Sequence, residues 1–375
     1  MEYFWQKDCR SECTEVNILF IGKRFYTNRD ALTEKYGRIY QLPYHWAKAG
    51  VDTKLWLIDY HSTEFVTQQD DSLAIISTPV KNGSVIKQYW QESRSKKKPD
   101  IIIASGDCYI GLLGYRLAKK LNAKFVFDVY DKYDEFGGYI KPLGFDLFKF
   151  LLKNSYICLF ASVALEKSFK NIIKNSIITP NGIDTKLFKP LDKYECRKKL
   201  KLDKDAIYIG YFGTLDSDRG IDDLLVAHQI LIEQGHDYHL LIGGRSRPNL
   251  NLRGGNIIYL GNMPYKQVPT AMGACDILTL PYRRSPYLDM ASSCKIAEYL
   301  AIKVPIVASR TPNIEKNFGL LFSKLLNIFS EPNNPNMLAK NIKTQLTKKI
   351  IVSSSNEYSY NSISKITLKL ILDID

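Results

Sequence analysis

Short apolar runs recur along this chain, each ended by a glycine or a polar turn, and stretches with helical periodicity separate them. Val16-Asn17-Ile18-Leu19-Phe20-Ile21 is stopped by Gly22, and further runs lie at 53–58, 101–103, 124–129 and 156–160. Between them 37–46, 111–121 and 145–152 read as helices, the first closed by Gly50. Strands alternating with helices predict βαβ units and a parallel sheet. After Pro180-Asn181-Gly182 the pattern starts again, with strands at 207–212, 238–242, 257–260, 277–280 and 305–308 and helices at 221–234, 265–272 and 295–302. The expectation is an α/β chain of two Rossmann-like, doubly wound domains, 1–180 and 181–355, followed by a terminal segment, 356–375, helical over 361–372. No 20–50-residue repeat is visible, so the halves share topology only. Two such sheets facing one another leave a cleft at the carboxyl ends of their strands, where open α/β sheets bind ligands.

The 375 residues suit two domains at roughly 100–200 residues each. Hydrophobic residues at 45% and charged residues at 24% exclude a disordered or collagen-like chain. Seven scattered cysteines form no paired framework and fit a reducing compartment. The net charge of +13 is spread evenly, 26 basic against 20 acidic residues in 1–180 and 26 against 19 in 181–375. Such a balance favours anionic ligands or an anionic membrane surface; the alternative is a solvated lysine-rich surface. The first residues carry acids and no apolar core of a leader, and the longest apolar stretch, 156–165, is half of the roughly 20 residues a spanning helix needs. A cytoplasmic location is expected, with at most peripheral contact at the inner face of a membrane.

Four features of the second half carry chemistry. In Gly213-Thr214-Leu215-Asp216-Ser217-Asp218-Arg219-Gly220 a glycine ends a strand and an arginine precedes a helix. Bare backbone, a helix N-terminus and a guanidinium together suit a diphosphate; the alternative pairs Arg219 with Asp216, Asp222 or Asp223. In Ser292-Ser293-Cys294-Lys295-Ile296-Ala297-Glu298, Ser293 suits an N-cap. Lys295 then falls in the first turn, unfavourable for a cation unless an anion lies there. Glu298, one turn on, can accept two hydrogen bonds from a vicinal diol such as ribose; the alternative is an ordinary Lys–Glu pair. Gly243-Gly244-Arg245 ends another strand, either holding a base or phosphate or forming a tight turn. Gly261-Asn262-Met263-Pro264 offers backbone groups to a nucleobase edge.

These stretches resemble the GT-B fold glycosyltransferases, family 4, "glycosyl transferases group 1". Ile178-Thr179-Pro180-Asn181-Gly182-Ile183-Asp184-Thr185-Lys186-Leu187-Phe188-Lys189-Pro190 is similar to the family's interdomain linker, and 213–220 to its first donor-domain glycine loop. Ile258-Tyr259-Leu260-Gly261 with Ala274-Cys275-Asp276-Ile277-Leu278, and Lys295 through Ser309, resemble its next strand pair and its glutamate-bearing helix. Tyr358-Ser359-Tyr360 resembles the start of the last helix, which in this fold crosses back to the first domain. The resemblance implies a hexosyltransferase acting, with retention, in cell-surface polysaccharide biosynthesis. Its donor would be a nucleotide sugar, with no tightly bound cofactor and no metal, and its acceptor a saccharide or polyprenyl-diphosphate-linked glycan. Arg219, Lys295 and Glu298 take the catalytic roles. Gly213, Thr214, Gly243, Gly244, Arg245, Asn262, Met263, Asp289, Ser292 and Ser293 surround the donor. In the first domain Gly22 and Gly37 match acceptor-side loops, and Asp107, Asp128 and Asp131 follow strands where they can meet acceptor hydroxyls; the alternative for the aspartates is helix capping and turns.

The chain departs from the family pattern at Met290, where the first glutamate of the E-x7-E motif would fall beside Asp289. It also departs at Thr214, which replaces a basic residue, and at Lys303, which replaces a glycine. The family's first-domain histidine is absent, with Ser105 and Tyr130 in its region. A Lys in a left-handed cap costs about 1 kcal/mol relative to Gly, so a different helix ending is expected at 303. Cys9-x3-Cys13 lacks partner ligands at metal spacing, and Arg94-Ser95-Lys96-Lys97-Lys98 lacks the stacking aromatics of a nucleic-acid surface. Two alternatives remain open: a nucleotide-sugar 2-epimerase on the same fold, and a non-catalytic GT-B glycan-binding protein.

Overall fold

A run such as Ile18–Ile21, apolar at successive positions, needs cover on both faces, which the middle of a parallel sheet supplies. The computed structural model, which describes residues 16–27, 29–252, 254, 256–290, 293–312, 314–315, 329–352 and 358–374, places it there. The chain divides into two units, residues 1–181 with 360–375 and residues 182–359.

In the first unit the strands are β1 (Asn17–Lys23), β2 (Phe25–Tyr26), β3 (Arg29–Asp30), β4 (Asp52–Asp59), β5 (Val66–Asp70), β6 (Leu73–Pro79), β7 (Ile101–Ser105), β8 (Lys124–Val129), β9 (Ile157–Phe160) and β10 (Ser176–Ile178). The helices are α1 (Gly37–Lys48), α2 (Ser84–Ser93), α3 (Cys108–Leu121), α4 (Leu147–Asn154) and α5 (Val163–Phe169). Among the described residues eight strands form one sheet in the order β10-β9-β8-β7-β1-β4-β6-β5. All neighbours are parallel except β5, which runs antiparallel to β6 along the edge. The expected strand at 16–21 extends to Lys23, so Gly22 lies inside β1 rather than stopping it. A Cβ there would meet Ile39 Cγ2 at 2.4 Å; the glycine lets α1 pack on the strand. The polar stretch that follows, 23–35, contains the β2–β3 hairpin. Its Arg24 and Asp30 are buried and paired at 3.0 Å, with Asp59 also 3.0 Å from Arg24.

In the second unit α6 (Lys193–Leu200) precedes β11 (Ile207–Phe212), α7 (Ile221–Glu233), β12 (Tyr238–Gly243), β13 (Ile257–Tyr259), α8 (Val268–Gly273), β14 (Ile277–Leu280), α9 (Pro286–Met290), α10 (Cys294–Ile302), β15 (Ile306–Ala308) and α11 (Pro335–Lys348). The five strands are all parallel, in the order β13-β12-β11-β14-β15. Leu240, Leu241, Ile242, Ile277 and Leu278 are fully covered at the centre of this sheet. Helix α10 ends at Lys303, whose φ of 60° is left-handed, contrary to the expected different ending. The lysine adopts the conformation that a glycine takes at no steric cost.

The chain then returns to the first unit as α12 (Tyr360–Leu372). This helix packs on α1. The Trp46 indole N–H donates to Ser364 O at 2.8 Å, and the Thr179 and Thr367 hydroxyls lie 3.2 Å apart.

Candidate functional site

The second sheet reverses its strand order between β11 and β14. The loops leaving two such strands diverge to opposite faces, opening a crevice at their carboxyl ends. Gly213 is the first residue after β11. A Cβ on Gly213 would lie 2.4 Å from Lys295 Cε and 2.6 Å from its Nζ. The lysine, second residue of α10, therefore lies across the bare backbone of the glycine, and the fold brings two distant sequence features into contact. The Gly213 N–H donates to Gly243 O at 2.8 Å, Leu215 N–H to Arg245 O at 2.9 Å and Gly244 N–H to Gly261 O at 2.8 Å. These bonds stitch together the loops after β11, β12 and β13.

Gly244 has φ +134°, and a Cβ there would sit 1.9 Å from Gly213 O. Gly243 similarly meets Met263 Sδ at 2.7 Å. Both glycines allow loop packing, and Met263 is a core side chain, 6% exposed, rather than a donor-facing one. Arg245 and Asn262 are exposed. Thr214 contributes its carbonyl, which accepts from the Tyr211 hydroxyl at 2.9 Å.

Arg219 pairs with Asp216, Nη1 to Oδ2 at 2.6 Å, while its own N–H donates to Oδ1 at 3.0 Å. This is one of the alternative pairings open from the sequence. The pair is partly accessible, 25% for the arginine side chain and 32% for the aspartate. Gly220, φ +71°, begins α7, and a Cβ there would strike Pro281 O at 1.7 Å. The loop after β11 is thus pressed against the loop after β14. Arg283 locks that contact, donating to both Asp223 oxygens at 2.8 and 2.7 Å while its N–H donates to Asp218 O at 3.0 Å. Arg247 similarly holds Asp222 at 2.5 Å and touches the Ser217 hydroxyl.

Ser293 takes the N-cap position of α10 without a side-chain capping bond. Its hydroxyl lies 3.3 Å from the Tyr282 hydroxyl. Burial pushes the Tyr282 phenol up to about 12, so it stays protonated at neutral pH. Glu298 is 5% exposed, and the Tyr265 hydroxyl donates to its Oε1 at 3.1 Å. Asp289, beside Met290, is held by Arg284 through bonds of 3.0 and 2.9 Å. Ser292 lies outside the described residues. Tyr265, Tyr282 and Arg283 escaped the sequence reading. Each is joined to its partner from a separate element, and local patterning carries no signal for such contacts.

The first sheet reverses between β1 and β7. Asp107 caps α3, accepting from Tyr109 N–H at 3.0 Å and Ile110 N–H at 2.9 Å. It also faces Lys23 Nζ at 3.6 Å and accepts from the Tyr60 hydroxyl at 3.4 Å. These groups line a pocket of about 200 Å³ with Tyr109, Phe136 and Tyr139. Asp128 belongs elsewhere. It is wholly buried, with Arg38 Nη2 and Nε at 2.5 and 3.0 Å and the Ser105 hydroxyl at 2.6 Å. An acceptor cannot reach it; its carboxylate compensates a buried guanidinium that also donates to Thr179 O at 2.8 Å. Gly37 likewise serves packing, since a Cβ at its φ of +66° would meet the Tyr26 hydroxyl at 1.6 Å. Asp131 is half-buried and accepts from Lys132 N–H at 2.9 Å.

Comparison with known proteins agrees with this architecture. The chain is 31% identical over 140 residues to a GDP-mannose-dependent monoacylated alpha-(1-6)-phosphatidylinositol monomannoside mannosyltransferase of Corynebacterium glutamicum. That match covers 34% of this chain and 37% of the relative, and the chain spans about a third of the length of the curated relatives it matches. Sucrose-phosphate synthase of Thermosynechococcus elongatus superposes with a TM-score of 0.69 at 17% identity, covering 95% of this chain and 98% of that one. HepE of Anabaena, solved with UDP and glucose, superposes with 0.64 at 13% identity, covering 94% and 99%. The two-unit α/β architecture is the GT-B fold that the sequence led us to expect. Residues 206–348, which hold the loops of the second crevice, match the family Glycosyl transferases group 1.

Proposed function

We propose that the chain is a retaining family 4 glycosyltransferase. It moves a hexose from a nucleotide sugar to a saccharide or polyprenyl-diphosphate-linked acceptor in cell-surface polysaccharide synthesis. The observation that carries this reading is the lysine of α10 laid across Gly213 at the strand-order reversal of the second sheet. The group 1 match over the same residues supports it, as does the fold shared with a protein solved with UDP and glucose.

The chemistry follows from where charge develops. As the glycosidic bond to the donor breaks, negative charge accumulates on the departing nucleoside diphosphate. A cation already fixed at that position stabilises the transition state without reorganising, often the largest single catalytic contribution. Lys295 takes that role at the backbone of Gly213. Arg219 joins it from the rim by exchanging Asp216 for phosphate. Glu298, steadied by Tyr265, accepts the ribose hydroxyls. Gly243, Gly244, Arg245 and Asn262 shape the outer wall, and Asp107 at the first-unit pocket meets the acceptor.

Calorimetric titration with UDP, GDP and ADP tests this. One nucleotide binds to the intact protein, and Arg219→Ala or Lys295→Ala weakens it at least about tenfold, equivalent to about 1.4 kcal/mol. Binding of none of the three would remove the donor site. Consumption of a nucleotide sugar with no acceptor present, giving an isomeric nucleotide sugar, would replace transfer by epimerisation.

A further inference from the structure

We propose that residues 139–145 of the first unit seat the protein on an anionic lipid bilayer. This segment exposes apolar side chains in an unusual concentration: Leu143 is 109% accessible, Ile140 64% and Phe145 50%, with Tyr109 beside them at 45%. The Tyr109 hydroxyl donates to Gly138 O at 2.9 Å, tying that ring to the base of the segment. Leu143 has φ 51°, a left-handed conformation that a leucine rarely adopts, and is held there with its whole side chain in water. Scattered exposed apolar residues are ordinary, but a contiguous apolar tip marks a surface that is covered in use.

Charge selects the occupant. Residues 137–174 contain six lysines, at 141, 149, 153, 167, 170 and 174, against Asp146 and Glu166, a net charge of +4. All six are exposed. Lys141 is on the tip itself, paired with Asp146 at 2.9 Å. Lys149 and Lys153 are on α4, which follows the tip and meets it where the Phe145 and Phe150 rings lie 5.5 Å apart, and α4 packs on α5 through Phe148 and Phe169, whose rings are 5.1 Å apart. Apolar side chains that enter the acyl boundary, ringed by lysines that remain among anionic headgroups, are the composition of a reversible membrane anchor. A second copy of the chain fits less well. The four side chains, three of them only 45–64% exposed, present roughly 500 Å², short of the roughly 800 Å² per partner of a stable interface, and the lysines of two copies would repel. No described helix is long and apolar enough to cross a membrane, so the contact is with one face.

The segment continues directly from Gly137, Gly138 and Tyr139, which form one wall of the first-unit pocket. Seating the tip therefore brings that pocket beside the headgroup layer, where a lipid-linked molecule would present its polar end. The docking itself does not depend on the nucleotide site, and its test uses no nucleotide.

The experiment is co-sedimentation of the full chain with vesicles of phosphatidylcholine alone and of phosphatidylcholine mixed with phosphatidylglycerol. The intact protein binds the mixed vesicles and binds them more tightly than the neutral ones. The Ile140→Ser, Leu143→Ser, Phe145→Ser triple variant loses about tenfold or more in affinity while it stays folded by circular dichroism. Ile140→Ser with Leu143→Ser, which spares the Phe145 ring packed 5.5 Å from Phe150, weakens binding in the same direction with its melting temperature unchanged. Lys149→Glu with Lys153→Glu weakens binding to the mixed vesicles and leaves the neutral ones as they were. The proposal is overturned if the intact protein ignores both vesicles or the triple variant binds as well as the parent. It is equally overturned if light scattering shows a dimer that the triple variant abolishes.

Discussion

The two sheets reverse strand order at equivalent places, β1/β7 and β11/β14, and each carries a lysine over a glycine at that point. The surroundings differ. In the first unit Lys23 packs against Gly106, where a Cβ would meet Lys23 Cβ at 2.5 Å. Its ammonium has a carboxylate 3.6 Å away and the rings of Tyr60 and Phe136 at 5.2 and 5.9 Å. In the second unit the glycine faces the far end of the lysine, so the cationic head itself lies against the glycine backbone. One topology thus yields an aromatic-walled pocket in one unit and, in the other, a lysine laid on glycine backbone, which we propose as the diphosphate seat. Topology places a crevice, and a few local residues decide its chemistry.

The largest expected break in that comparison is in the first unit. Asp128→Ala leaves the buried Arg38 guanidinium uncompensated and should cost about 3–5 kcal/mol. All four tryptophans lie in residues 1–181, so tryptophan fluorescence during denaturant unfolding follows this unit. A loss below about 1 kcal/mol would show that Asp128 is not the counter-ion its geometry makes it. Gly213→Ala sharpens the second unit. The three atoms nearest the new methyl all belong to the movable end of Lys295, so the unit should remain folded while nucleotide affinity falls about tenfold. Unfolding of the variant, or undiminished binding, would argue against a seat at that backbone.

A smaller effect is expected at the end of α10. Lys303→Gly relieves a left-handed lysine and should stabilise the second unit by about 1 kcal/mol, a rise in melting temperature of about 2–4 °C. No change would mean the strain is dispersed into the loop. The smallest effect separates the units by pH. Burial holds buried His228 below its usual 6.5, so it folds neutral while the unfolded chain takes up a proton. That stabilisation is present above pH 6.5 and declines below it. In the first unit burial opposes ionisation of Asp59, but hydrogen bonds from Ser62 and His61 and the charge of Arg24 outweigh it and hold the carboxyl below 3.8. Its contribution is present above pH 3.8 and is lost below. Hydrogen exchange between pH 7 and 5 should therefore show the second unit loosening before the first, and the reverse order would contradict these environments.

How much was legible in the sequence follows the range of the interactions. The parallel strands announced themselves because burial on both faces demands unbroken apolar runs. The edge strand β5, with only partly buried or exposed positions, gave no such run. The β2–β3 hairpin hid in a polar stretch because its buried charges, Arg24 with Asp30 and Asp59, satisfy one another only after folding. Arg38 opens α1 like any surface residue; its burial against Asp128, Thr179 and Asn181 depends on segments far along the chain. In the candidate site Gly213 and Lys295 were each singled out for local reasons, a strand-ending glycine and a first-turn cation. Their contact required the sheet order. The glycines at 22, 37 and 244, read as ligand-facing, are explained by side chains and carbonyls that a Cβ would displace.

The most direct test of the central claim is a double-mutant cycle on nucleoside diphosphate affinity with Gly213→Ala and Lys295→Met. If the glycine floor and the lysine head form one seat, each change alone weakens binding and the double variant binds no more weakly than Lys295→Met alone. Losses that simply add, or a Lys295→Met protein that binds like the parent, would contradict a shared diphosphate seat at the end of β11.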